Sequence, residues 1–147
     1  MKRDTRLGGL SSEHHRALTL ARSLAGRGKV WTQDDAVALG ARFDTELEPH
    51  FRVEDEVLLP ALRRAGATAL PERTAEDHAF LRASVKAAVA GDGEAARAFG
   101  ERLRDHVRFE ERELFRACEE TLSDDVLEEV ARRAPKKRRA GPETKKP

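Results

Sequence analysis

Apolar residues recur along most of the chain at intervals of three and four positions, which is the spacing of amphipathic helices. The first such stretch follows a pair of serines and ends at Gly26, and it predicts a helix over residues 12–25. The second stretch predicts a long helix over residues 33–65. Pro49 and Pro60 lie inside it, and because proline removes a backbone donor we expect bends there rather than a break.

The second half of the chain predicts three further helices. One begins near Pro71, which suits a first helical turn, and stops at the segment Gly91-Asp92-Gly93. Asp92 can cap the next helix, which continues to about residue 121, and a short fifth helix covers residues 124–133. The alternation of apolar and polar residues that marks strands does not occur in the sequence.

These elements predict an all-α fold, an up-down-up-down four-helix bundle with a short C-terminal fifth helix and a basic disordered tail. The bundle is expected to occupy residues 1–122, the fifth helix residues 123–134 and the tail residues 135–147. The tail is rich in lysine and arginine and lacks apolar periodicity, which favours a solubilising appendage over a part of the core.

The amino-acid composition restricts the cellular location and the binding partners that we expect. Basic and acidic residues nearly balance, 28 against 27, so only the basic tail offers a surface for nucleic acid. The single cysteine, Cys118, has no partner for a disulfide. No apolar run is long enough to span a bilayer, and the N-terminus lacks the apolar region of a secretory signal. We therefore expect a cytoplasmic protein without a membrane partner.

Four of the five histidines fall on the apolar stripes of the predicted helices, one on each of the first four: His14, His50, His78 and His106. A single histidine in such a stripe is usually a core or rim residue. Four of them are harder to explain in that way, because burying four imidazoles without partners would remove much of the stability of a small domain. A bound metal is a common partner for imidazole, so the distribution indicates a metal site.

Two of these histidines have a glutamate four residues later, Glu54 after His50 and Glu110 after His106. Residues four apart lie on one face of a helix, so each pair can converge on a site between helices. The surrounding segments are also similar, FRVEDEVLL after His50 and VRFEERELF after His106. This similarity indicates an internal repeat of a helix pair, which would favour a symmetric pair of metals.

The alternative interpretation is a solvated charged face with chance histidine and glutamate neighbours. Glu54 and Glu110 argue against it because they lie on the apolar stripes, whereas neighbours such as Asp55 and Glu111 flank the stripes and can face solvent. Two buried carboxylates need compensating positive charge, and no lysine or arginine shares their stripe. Metal cations would provide that charge.

The ligand types narrow the choice of metal. Mixed nitrogen and oxygen ligation favours iron over the alkaline-earth cations, although zinc or manganese could occupy the same pocket. The other common di-iron bundle design has glutamate before histidine at a spacing of three, and this chain has the reverse order at a spacing of four. A ferritin-type oxidase site is therefore disfavoured.

Four segments together resemble the hemerythrin-like cation-binding family: Ser12-Glu13-His14, the His50 segment through Pro60, Glu76-Asp77-His78, and the His106 segment through Glu111. The resemblance covers about residues 10 to 120. It implies a four-helix bundle with an oxo- or hydroxo-bridged pair of iron ions that can bind oxygen. It also implies six metal ligands, the two glutamates acting as bridges: His14, His50, Glu54, His78, His106 and Glu110.

One position departs from the pattern of the oxygen carriers that this family contains. Those proteins have a further ligand histidine one turn before the third-helix histidine, and this chain has Thr74 there. Solvent or a nearby carboxylate could fill the position, so simple reversible oxygen carriage does not follow from the resemblance. His15 is the remaining histidine, and rotation of the first helix could exchange it with His14 as the ligand.

Three functions therefore compete. The first is a metal-binding protein that captures or senses oxygen, nitric oxide or peroxide, or that buffers iron. The alternative is a di-iron enzyme that acts on peroxide or nitric oxide through the coordination position left open at Thr74. The third is a metal-stabilised interaction module whose basic tail recruits nucleic acid.

Overall fold

The structure, a computed structural model, describes residues 2–27 and 30–135 and contains helices but no strand within them. Within these two ranges the chain forms five helices, with a short 3-10 turn at Thr5–Leu7 before the first. They are α1 (Gly8–Ala25), α2 (33–64), α3 (Ala69–Val89), α4 (93–121) and α5 (Asp124–Arg133). The predicted basic tail lies, from residue 136 onward, outside the described residues.

The helix positions agree with the sequence prediction except at two N-termini. The first helix begins at Gly8 rather than at residue 12, because Leu7 and Leu10 are fully buried and extend the apolar stripe toward the N-terminus. The side chain of Asp4 accepts a hydrogen bond from the Arg6 amide and thereby caps the preceding turn. The third helix begins at Ala69, two residues before Pro71.

Helix α2 is continuous but changes its winding twice. A π-helical turn at Phe43–Leu47 and another at Glu54–Leu58 separate its three α-helical segments. Pro49 and Pro60 each lie at the start of the segment that follows a π turn. A first helical turn tolerates a missing backbone donor, so the helix passes both prolines without a break, as predicted.

Helix α4 has one π turn, Glu110–Leu114, and no proline near it. Glu54 and Glu110 are the first residues of their π turns, so the internal repeat inferred from the sequence extends to the backbone. Single π turns inside α-helices occur frequently at functional sites. Here they coincide with the two glutamates of the His-x-x-x-Glu segments.

Two apolar clusters fill the interior, one on each side of a layer of polar side chains. The first contains Leu20, Leu24, Phe43, Leu81 and Phe99, and the second contains Leu7, Leu10, Leu59, Leu62 and Phe115, among others. Along α1 and α3 the chain passes from the second cluster to the first, and along α2 and α4 it passes in the opposite direction. Successive helices of this helical bundle therefore alternate in direction.

Helix α4 is the central packing partner, because it lies along both α1 and α3, while α2 packs against α3. Its approach to α1 is close at Gly100, where an added Cβ would lie 2.7 Å from the backbone nitrogen of Ala25 and 2.7 Å from Leu24 Cβ. Helix α5 contacts the N-terminal 3-10 turn. Among the described residues, no helix has the length and apolar character needed to cross a membrane.

Candidate metal centre

All six residues that the sequence predicts as ligands lie together in the polar layer between the two apolar clusters. Each is at most 5% exposed, and both glutamates are fully buried. They come from all four long helices: His14 from α1, His50 and Glu54 from α2, His78 from α3, and His106 and Glu110 from α4. Burial of this many ionisable groups needs a specific compensating arrangement.

The four histidines direct their Nε2 atoms toward the two glutamates. Nε2 of His14 lies 2.9 Å from Glu110 Oε1, and Nε2 of His78 lies 3.0 Å from Glu54 Oε1. Within their own helices, Nε2 of His50 lies 2.9 Å from Glu54 Oε2 and Nε2 of His106 lies 3.0 Å from Glu110 Oε2. Each glutamate is therefore approached by histidines of two different helices.

Potential ligand atoms form two groups that share both glutamates. One group contains His14, His50, Glu54 and Glu110, and the other contains Glu54, His78, His106 and Glu110. Within each group the ligand atoms lie within 4.8 Å of one another, so each group could hold a metal ion. Two groups that share two carboxylates have the connectivity of a dinuclear site.

Several of the atoms at the centre lack a hydrogen-bond partner among the described residues. They are Glu54 Oε2, Glu110 Oε2 and His106 Nε2, all fully buried. The contacts of His50 with Glu54 and of His106 with Glu110, within one helix each, are short but do not have the angles of a hydrogen bond. Buried polar atoms are normally satisfied, and each exception requires an explanation. Metal coordination would use these atoms, so the residues present fit a pair of cations held between them.

On their outer side, the four histidines form a ring of hydrogen bonds between helices. The Nδ1 atom of each contacts a carboxylate of a neighbouring helix, at 2.6 to 2.9 Å. The pairs are His50 with Glu13, His78 with Asp55, His106 with Asp77, and His14 with Glu111. Such contacts select the tautomer that leaves Nε2 free for a metal and fix the orientation of the ring.

Sequence analysis missed this ring, because it assigned Asp55 and Glu111 to the solvent side. Both are about half buried and partner imidazoles of other helices. A signal was present in the sequence, since every outer carboxylate is the chain neighbour of a predicted ligand. Its significance depends on how the helices are placed, because each carboxylate serves a histidine on a different helix.

Arginines and a serine support three of the four outer carboxylates. Arg82 binds Asp55, Arg102 binds Asp77, and both Arg3 and Ser11 bind Glu111. Glu13 contacts His50 but no arginine or lysine among the described residues. The charge of Glu13 is therefore the least compensated in the ring.

Charge pairing controls the protonation of the metal-free centre. Burial alone would lower the pKa of His106, but the charge of Glu110 and the hydrogen bond to Asp77 raise it to about 10. Burial would raise the pKa of Glu110, yet His106, His14 and His50 hold it well below its usual range. Burial lowers the pKa of His50, but the charge of Glu54 together with hydrogen bonds to Glu110 and Glu13 raises it well above its ordinary value. Metal binding at these nitrogens would therefore release protons.

Aromatic rings cover two of the imidazoles. Phe51 is stacked on His78 with ring centroids 4.2 Å apart, and Phe115 is stacked on His14 at 5.3 Å. Both phenylalanines are almost fully buried. They shield the polar layer from the two ends of the bundle.

The structure shows the surroundings of the two positions that the sequence left open. His14 is 4% exposed and faces the centre, whereas His15 is exposed on the outside of α1. Thr74 is fully buried, but its hydroxyl donates a hydrogen bond to the Leu70 carbonyl at 2.9 Å. Thr74 belongs to neither ligand group.

A cleft between α1 and α2 leads from the surface to this centre. Its volume is about 230 Å³, and it reaches His14, His50 and His106. His78 does not line it. One side of the polar layer is thus accessible from a defined opening.

Comparison with known protein families supports a cation-binding site. Residues 5–118 match the model of a protein family described as the hemerythrin HHE cation binding domain. The matched region begins in the 3-10 turn before α1 and ends within α4, so it includes all six predicted ligands. The search of curated proteins and the search of solved structures returned no match.

Proposed function

Because the chain belongs to the hemerythrin HHE cation-binding family, we propose that it holds two iron ions between its helices. The ligands in this proposal are His14, His50, Glu54, His78, His106 and Glu110, with the two glutamates shared between the ions. The host is an up-down-up-down four-helix bundle formed by α1 to α4. Zinc or manganese could bind the same groups, and mixed nitrogen and oxygen ligation favours iron over calcium or magnesium.

One observation carries this proposal: two buried ligand groups have both glutamates in common and leave polar atoms without partners. A single histidine–carboxylate network would account for the outer hydrogen bonds. It would not account for the inward Nε2 atom of His106 or for Oε2 of Glu54 and of Glu110, which are buried and make no hydrogen bond. Cations between the helices account for all of them.

Iron in such a centre would supply a redox-active binding position for a small molecule. The residues of this chain would orient the imidazoles, exclude water and admit the ligand through the cleft beside His14 and His50. We propose that the protein binds or senses a diatomic molecule, oxygen or nitric oxide, or buffers iron. Thr74 adds no ligand, so each ion has two histidines from the chain.

A second candidate function is an enzyme that acts on peroxide or nitric oxide. The cleft favours it, because the cleft gives molecules from solvent direct access to His14, His50 and His106. Turnover of hydrogen peroxide or nitric oxide by the iron-loaded protein, lost in His50→Ala, would support the enzyme. Ligand binding without turnover would support the binding protein.

Metal analysis tests the proposal directly. Protein purified with iron should contain about two irons per chain and show near-ultraviolet absorption that changes on addition of azide. His14→Ala should lose about half of the iron, because it removes a ligand from one group only. His15→Ala is the matched control, since this neighbouring histidine is exposed. Full iron content in His14→Ala, or equal loss in both variants, would overturn the assignment.

A further inference from the structure

The cleft between α1 and α2 is larger than a diatomic molecule requires. Its volume of about 230 Å³ compares with roughly 30 Å³ for one water molecule in the liquid. Oxygen, nitric oxide and hydrogen peroxide have about the size of one or two water molecules. Packed interiors rarely keep so much unfilled space beside a buried site, so the cleft requires its own explanation.

Apolar side chains form the inner walls of the cleft. Ala17 lies on the α1 side, Leu47 and Phe51 on the α2 side, and Leu103 and Val107 of α4 at the back. All five are buried in the first apolar cluster. Walls of this kind bind the hydrocarbon part of a ligand by removing it from water.

The polar groups of the cleft disfavour an anion. Glu13 forms part of the wall, and its Oε1 accepts a hydrogen bond from His50 at 2.7 Å. Its other oxygen makes no hydrogen bond within the described residues, so it can accept one from a ligand. Two arginines line the cleft, and each has a carboxylate partner: Arg16 of α1 pairs with Glu46 of α2 at 3.1 Å, and Arg133 of α5 pairs with Glu56. Among the described residues, the cleft therefore has no unpaired cation for an anion to bind.

We propose that this cleft binds an uncharged organic molecule with a short hydrocarbon body and an O–H group, such as an alcohol or an organic hydroperoxide. The hydrocarbon lies against the apolar walls, and the O–H group donates a hydrogen bond to Glu13 beside His50. The inference deepens the proposed function, because it assigns a ligand class to the same centre. Binding to the cleft walls needs no metal, so the ligand class of the cleft and the metal content of the centre can be tested separately.

A series of alcohols provides the probe. In nuclear magnetic resonance titrations, the affinity for methanol, 1-propanol and 1-pentanol should rise by about fourfold for each added methylene until the cleft is filled. The shifted amide signals should include those of Leu47 and Phe51. An ether of equal size, 1-methoxybutane, should bind about tenfold more weakly than 1-pentanol because it has no O–H donor.

Two threonine substitutions provide a matched pair. Thr45 lines the mouth of the cleft, and Thr45→Phe should weaken 1-pentanol binding by about tenfold or more. Thr19 is equally exposed, and its hydroxyl likewise bonds to the carbonyl four residues earlier, but it lies outside the cleft. Thr19→Phe should therefore leave the affinity unchanged.

Alcohol affinities that do not depend on chain length would overturn the proposal. Tighter binding of hexanoate than of 1-pentanol would also overturn it, and so would equal effects of Thr45→Phe and Thr19→Phe. Each titration is made with metal-free and metal-loaded protein, and the metal content of every sample is measured. Fewer than about two metal ions per chain would count against the proposed function. The alcohol series would still decide the ligand class of the cleft.

Discussion

The two helix pairs of this protein carry the same ligand pattern and differ in what surrounds it. In the pair α1 and α2, both histidines, His14 and His50, border an open cleft. In the pair α3 and α4, His106 borders the cleft, but His78 lies beneath Phe51, and the two helices pack along each other. The distances from Nε2 to the glutamates are nearly equal in the two pairs, so the difference concerns access and support rather than ligand geometry.

The outer carboxylates show the same contrast. Glu13 and Asp77 occupy equivalent positions, each directly before the histidine of the first helix in its pair. Asp77 is 4% exposed and held by Arg102, whereas Glu13 borders the cleft and has no arginine or lysine partner among the described residues. A repeated ligand pattern can thus build a centre with two different halves. The half formed by α3 and α4 is the more enclosed, and the half formed by α1 and α2 is the more accessible.

Removal of a shared glutamate should have the largest effect, because it belongs to both halves. Glu110→Ala should lower the iron content from about two to below about 0.5 per chain and destabilise the metal-free fold by about 3–5 kcal/mol, since it leaves buried histidines without their partner. Glu113→Ala in the same π turn is the control, because Glu113 is exposed. Retention of one iron in Glu110→Ala would show that the halves bind independently.

The melting temperatures of the metal-free and the metal-loaded protein should depend differently on pH. The folded pKa of His106, about 10, lies above the ordinary value of 6.5, so its stabilising effect is complete below about pH 6.5 and is lost as the pH rises through 10. Metal ligands must be deprotonated, so metal binding strengthens over the same range. The difference in Tm between the two forms should grow by about 5 °C or more from about pH 6 to pH 9.

A constant or shrinking difference in Tm would contradict this account. Calorimetric metal titrations in buffers of different ionisation enthalpy provide a second measurement. They should detect protons released on binding, because the histidines of the metal-free centre carry them.

Loss of an outer carboxylate should distinguish the enclosed half from the accessible half. Asp77→Ala should weaken metal binding by up to about 100-fold, because it releases the buried ring of His106 and leaves Arg102 without its partner. Glu13→Ala should weaken it by about tenfold, since only the contact to His50 is lost. Competition with a chelator measures both affinities. A larger effect for Glu13 would reverse the proposed difference between the halves.

The smallest effect concerns the close contact between α1 and α4 at Gly100. Gly100→Ala should lower the free energy of unfolding by about 1–3 kcal/mol, because the new methyl group would meet backbone atoms of α1. Gly40→Ala is the matched control, since its methyl group would meet only the side chain of the exposed Val89, at 3.2 Å, and no backbone atom. Chemical unfolding should find the control unchanged or stabilised by up to about 1 kcal/mol. Equal free energies of unfolding for the two variants would show that the contact between α1 and α4 tolerates a wider spacing.

Most of the helical architecture and all six candidate ligands could be predicted from the sequence. Helical periodicity identified the five helices, and the His-x-x-x-Glu spacing placed His50 with Glu54 and His106 with Glu110 on single faces. Helix α1 begins four residues before the start that the serine pair predicts, because the buried side chain of Leu7 extends the apolar stripe beyond the serines. The π turns at the glutamates were not predicted, since no residue type marks them reliably.

The sequence by itself determined most of the apolar positions that face the interior, because helical period and residue polarity are properties of each segment alone. Only the tertiary structure decided how the four segments meet. It paired Glu13 with His50 and Asp77 with His106, it turned His15 outward, and it left the cleft between α1 and α2. These features depend on the rotation and spacing of neighbouring helices, which arise from packing contacts far apart in the chain.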